Sequence, residues 1–209
     1  MGKTVRELIR RLPEGFYPWY LGWMPNRTGC PGRVDCFLAR SWRGQCAEDP
    51  HAFKTMLEDL GFASMHPDML ACIREIARIP LEWEIQMDVL EDGSLLPNLT
   101  LSMMLPVRGR TSARELFSER GRAAEAMALL EGFGAADSRW RLIPDASVAR
   151  IVPVPVPGEE PVSVIMAVLP KFIKMKWNQG QLQTAKVYYA GRTEPVLDDG
   201  NMDRTRRGN

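Results

Sequence analysis

The sequence predicts an α+β fold: one antiparallel sheet of about six to eight strands, made of hairpins that alternate with helices on one face. Three observations carry that expectation. Leu81–Leu90 alternates strictly, with Leu81, Trp83, Ile85, Met87 and Val89 against Glu82, Glu84, Gln86 and Asp88. Paired apolar runs are separated by turn residues, as at Asp92-Gly93 and Asn178-Gln179-Gly180. Between the hairpins lie stripes of helical period with recognisable start and stop signals.

Each element follows in order. Val5–Leu12 reads as a short helix closed by Pro13-Glu14-Gly15. Phe16–Met24 is aromatic-rich and strand-like, and the turn cluster from Pro25 to Gly32 leads into Arg33–Ala39. There Val34, Cys36 and Leu38 share a face, which completes a first hairpin. Asp49 and Pro50 open a helix whose stripe is Phe53, Met56, Leu57 and Leu60, stopped by Gly61. Ser64 and Pro67 open the next, closed by Pro80. Leu81–Leu90 and Asn98–Leu105 form the second hairpin. Ser112 and Glu115 read as a capping box for one long helix reaching Glu131. Prolines at 153, 155 and 157 make 152–158 an extended edge segment. Val162–Leu169, Lys171–Trp177 and Leu182–Tyr189 supply the last strands, with a three-residue loop that sets Trp177 opposite Gln181. Residues 1–190 are expected to form a single domain, and the polar stretch 191–209 a disordered tail.

Composition excludes several classes. Lys+Arg 27 against Asp+Glu 26 gives a formal net charge of +1, without the field of a non-specific nucleic-acid binder. No apolar run approaches the roughly 18 residues of a membrane span, and the start lacks the apolar core of a signal peptide. A cytoplasmic protein without disulfides is expected. Cys30, Cys36, Cys46 and Cys72 contain no C-x-x-C pair, and His51 and His66 complete no zinc pattern, so no metal site is expected. Nucleotide-binding glycine loops, H-E-x-x-H and G-x-S-x-G are absent.

The charges that remain are segregated. Strand alternation places Phe172, Lys174, Lys176, Leu182, Thr184, Lys186 and Tyr188 on one face of the last hairpin. Lysines with aromatic neighbours suit an anion carried on an apolar body. Glu82, Glu84, Gln86 and Asp88 give the middle hairpin an acidic face that suits general-base work or a cationic side chain. The plainer alternative is that solvent covers both faces. Arg27, Arg33, Arg40 and Arg43 crowd the first hairpin, where arginines can clamp a carboxylate or phosphate.

Three segments resemble a known group. They are Leu21-Gly22-Trp23-Met24-Pro25-Asn26-Arg27 with Arg33-Val34; Gln86-Met87-Asp88-Val89-Leu90-Glu91-Asp92-Gly93 through Pro97 and Leu99; and Pro170-Lys171-Phe172-Ile173-Lys174 through Ala185-Lys186-Val187-Tyr188. With Leu129-Leu130 and Trp140 between them, they resemble accessory and tailoring proteins of bacterial gene clusters for ribosomally made, post-translationally modified peptides (RiPPs). The Lys-x-Tyr ending and the helix–hairpin rhythm are also similar to the αββα-barrel prenyltransferases. That resemblance implies a partial or small barrel whose inward basic residues hold an isoprenoid diphosphate as co-substrate. Lys174, Lys176, Lys186, Arg33 and Arg27 would bind substrate, Tyr188 would also shield the allyl cation, and Glu84 or Asp88 would orient the nucleophile. Such a barrel needs about ten strands, more than the sequence supplies, so a truncated, dimeric or silent relative fits as well as an active enzyme. The expected partners are a precursor peptide, another modifying enzyme or a second copy. A non-catalytic escort and a small-molecule binding module are the alternative functions.

Overall fold

The computed structural model describes residues 2–23, 32–62, 64–106, 113–158 and 160–195. Its strands are β1 (Phe16–Trp23), β2 (Gly32–Leu38), β3 (Glu82–Val89), β4 (Leu95–Met104), β5 (Val148–Val154), β6 (Val162–Asn178) and β7 (Gln181–Pro195). Its helices are α1 (Gly2–Arg11), α2 (Arg40–Glu48), α3 (Pro50–Leu60), α4 (Pro67–Ala77), α5 (Ala113–Leu116) and α6 (Arg122–Gly132), with a short 3₁₀ helix at Ser138–Leu142. All seven strands join one antiparallel, open sheet in the order β1-β2-β3-β4-β6-β5, and β7 pairs with β6. No helix among the described residues is long and apolar enough to cross a membrane.

Alternation dictates which face the helices cover. Cys36, Ile85, Leu101, Met175 and Ala185 are successive cross-strand partners, and Val34, Met87, Leu99, Trp177 and Leu182 form the next row. These rows meet Phe53, Leu57, Ile73, Ile76 and Leu130 in one core. Each large apolar side chain buried there contributes about 1.5–3 kcal/mol. Caps fix the helices that press on it. Asp49 Oδ1 accepts from the His51 N–H at 2.9 Å, Pro50 starts α3, and Gly61 stops it at φ 102. His66, rather than Ser64, caps α4.

Several expectations are corrected. The stretch holding Arg40 and Arg43 is helix α2, not part of the first hairpin. The long helix after Ala113 is broken into α5 and α6, because the chain turns so tightly at Gly121 that a Cβ there would lie 2.1 Å from the Leu116 carbonyl oxygen. The expected strands on either side of Pro170 are one continuous strand, β6, with an irregularity at Lys171. Its hairpin turn has two residues, not three: Asn178 pairs with Gln181, Trp177 with Leu182, and Leu182 turns to the helix side. β7 continues to Pro195, into the stretch read as a tail, while 196–209, Ser112 and Cys30 lie outside the described residues. Cys36, Cys46 and Cys72 are buried free thiols.

Candidate functional site

The face of the sheet away from the helices carries the polar members of the same alternation. Phe37, Glu84, Ser102, Lys174 and Lys186 are successive partners across β2, β3, β4, β6 and β7. Beside them runs Tyr20, Asp35, Gln86, Thr100, Lys176 and Thr184. On the other side run Glu82, Met104, Phe172 and Tyr188. The acidic and basic hairpin faces are therefore neighbours on one surface. With strands about 4.8 Å apart, Glu84 and Lys174 are separated by roughly 10 Å.

Solvent does not cover the acidic end. Glu84 is 1% exposed, Asp35 5%, Gln86 8% and Ser102 0%. A single amide bridges the two carboxylates: Gln86 Nε2 donates to Asp35 Oδ2 at 3.1 Å and to Glu84 Oε1 at 2.9 Å. Their other oxygens, Asp35 Oδ1 and Glu84 Oε2, have no hydrogen-bond partner among the described residues, and neither has Ser102 Oγ. Leaving such a group unpaired costs about 1–3 kcal/mol, so three on one face mark a site rather than a packing detail. Burial pushes the Asp35 carboxyl up to about 6, and the neighbouring Glu84 charge adds to the rise. Burial raises Glu84 as well, against the pull of Lys174 and the hydrogen-bonding side chains of Gln86 and Trp19. Trp19 stacks on Phe37 at 5.1 Å and forms an aromatic wall beside Glu84.

The basic end is built differently. Lys174 and Lys186 sit directly opposite each other, a like-charge pairing that weakens a sheet. The Lys174 ammonium lies 5.2 Å from the Phe172 ring and 5.0 Å from the Tyr188 ring, so aromatic faces hold it. Burial pulls its pKa down, while Glu84 and Asp35 oppose that shift.

No protein-family model, curated protein or solved structure matches this chain. The site is thus read from its own chemistry. Of the residues singled out in the sequence, Glu84, Lys174, Lys176, Lys186 and Tyr188 come together in these three rows. Arg33 and Asp88 stand further along the same surface and hold each other in a two-point ion pair, at 2.7 and 3.1 Å. Arg27 lies outside the described residues. Asp35 and Ser102 escaped the sequence reading. Both fall on the non-core side of their strands, beside residues too mixed in character to single them out. Among the described residues, no group of three or more His, Cys, Asp and Glu is placed to hold a metal ion.

Proposed function

We propose that this protein is a tailoring or accessory protein of bacterial modified-peptide biosynthesis, one that brings a precursor peptide and a diphosphate co-substrate together on the sheet face away from the helices. The observation that carries the reading is the row Glu84, Ser102, Lys174 and Lys186. It sets proton-accepting oxygens at one end and a directly opposed lysine pair at the other. In this reading a peptide N–H or O–H nucleophile hydrogen-bonds to Glu84 or Asp35. Its heteroatom attacks the allylic carbon, and the carbon–oxygen bond to diphosphate breaks. The departing electron pair stays on diphosphate beside Lys174, Lys176 and Lys186, and the proton passes to the carboxylate. Tyr188 and Phe172 flank the apolar group, and Asp88 positions Arg33. The reading places the protein in the cytoplasm, where precursor peptides are made.

Thermal-shift and calorimetric titration with dimethylallyl diphosphate test it. Stabilisation by the diphosphate is expected to fall about tenfold in affinity in Lys186→Ala, while Glu84→Gln keeps diphosphate binding and loses transfer to peptide. No stabilisation of the wild-type protein would sink the proposal. A non-catalytic escort is the second reading, favoured by exposed Tyr17, Trp19, Tyr20 and Leu21 on edge strand β1. It predicts diphosphate-independent capture of a precursor or enzyme encoded beside it.

A further inference from the structure

A second charged site lies at the end of the sheet, where the row of Glu82 and Met104 meets helices α2 and α6. Four cations and one acid, Arg40, Arg43, Arg122, Lys171 and Glu82, surround a cavity of about 700 Å³. Pro80, Met104, Pro106 and Leu169 supply its accessible apolar wall. Two of the guanidinium groups are moored. Arg43 on α2 donates Nη1 to the Leu81 carbonyl at 3.1 Å, and Arg122 on α6 donates Nη1 to the Pro80 carbonyl at 3.2 Å. The α4–β3 connection therefore holds one arginine from each side, with N–H groups to spare on both. Arg40 reaches Glu82, at 3.5 Å on the surface. Burial, then the charges of Arg40 and Arg122, depress the Arg43 pKa, against the pull of Glu82.

We propose that this cavity docks an acidic segment of the acceptor peptide, its carboxylates on the arginines and an adjacent aliphatic side chain on the apolar wall. Planar guanidinium groups pair with carboxylates through two parallel hydrogen bonds, and three converging arginines suit closely spaced acids. A free phosphate would use neither the volume nor the apolar wall. Position also favours a chain. Lys171 belongs to the cavity, and its ammonium lies 5.1 Å from the Phe172 ring in the row that carries Tyr188, so a peptide leaving the cavity enters the lysine face. The inference rests on the peptide-acceptor reading and adds where that peptide is gripped.

The test is fluorescence anisotropy with a short labelled peptide alternating aspartate and leucine, and the same peptide with asparagine for aspartate. The acidic peptide is expected to bind at least about tenfold more tightly than its neutral counterpart, with affinity falling steeply as salt rises. Arg40→Gln with Arg122→Gln should abolish that preference while melting temperature and pyrophosphate binding stay at wild-type values. Lys186→Ala, which addresses the pyrophosphate arm alone, should keep peptide affinity. Equal binding of the neutral peptide, retention of the preference in the double variant, or displacement of the peptide by pyrophosphate would each overturn the proposal. Loss of pyrophosphate binding in Lys186→Ala is read separately, so failure of the transferase reading and failure of the docking site are told apart.

Discussion

Asp35 shows how one residue can tie a site to stability. Its carboxyl is shifted from 3.8 to about 6, so the folded protein holds a proton that the unfolded chain has already released. Between those values the native state binds more protons, and stability therefore falls as pH rises from about 4 to above 6. Above that window the full penalty applies, up to about 3 kcal/mol for a shift of this size. Asp35→Asn keeps the amide–oxygen contact with Gln86 and removes the charge. Urea titrations from pH 4 to 8 should show the downward slope in wild type and a shallower one in the variant, where Glu84 still contributes, and the variant should be the more stable at pH 8. An unchanged slope would remove Asp35 as its source. The same two carboxylates have a bystander. Burial, then Asp35 and Glu84, push the Cys36 thiol up to about 12, which leaves it an unreactive core residue, as its apolar stripe suggested. Glu84 was legible in the sequence because β3 alternates without a fault. Asp35 was not, because it shares β2 with Arg33 and Phe37, and a face of one acid, one base and one aromatic has no period to announce it.

Turn geometry decides how the elements present these residues. The β6–β7 hairpin turns at Gln179 (φ 49) and Gly180 (φ 75), and two successive left-handed residues are what a tight two-residue hairpin needs. The sequence suggests a longer loop because the asparagine precedes the turn instead of occupying it. Leu182 leaves the expected lysine face, but Thr184, Lys186 and Tyr188 stay on it, since Gln183 is an extra residue that restores the alternation. Gly180 also touches the helical layer. Its carbonyl accepts from the His66 N–H at 3.0 Å, and a Cβ on it would lie 2.0 Å from the Ser64 carbonyl oxygen. Gly180→Ala should thus cost more than left-handed strain alone, on the order of 2–4 kcal/mol, visible as a lower urea midpoint with an unchanged slope. A loss below about 1 kcal/mol would mean that the hairpin tip does not bear on α4. Helix α2 was illegible for a complementary reason. It has Gly44 inside, no acid in its first turn and no capping side chain at Ala39. Tertiary contacts hold it instead, with Trp42 donating to the Glu14 carbonyl at 2.8 Å and meeting Phe16 edge-on.

For the whole molecule, a near-neutral total of +1 is a sum of separated regions: an acidic pocket, a lysine row beside it and an arginine cavity at the end of the sheet. These regions depend on the half of β6 that lies over the core, where Ile173, Met175 and Trp177 are buried. The other half, residues 162–169, pairs with β5 and the end of β7 but carries exposed Val162, Ile165, Met166 and Val168, facing exposed Val148, Ile151 and Val154 on β5. One hydrogen-bonded strand thus spans two burial regimes, and the division falls at Pro170 and Lys171. The sequence placed a strand end there. The ladder continues, but the packing does not, because α2, α3, α4 and α6 cover only the inner half. Opening free energy follows burial more than strand continuity. Native-state hydrogen exchange is therefore expected to find the amides of β5, 162–169 and 190–195 opening with much smaller free energies than those of β3, β4 and 172–177. The inner set should exchange only through global unfolding and respond fully to urea, whereas the outer set should exchange through openings that are nearly independent of urea. Uniform protection along β6 would show instead that the outer ribbon folds as one cooperative unit with the site, and that its apolar surface is covered in solution.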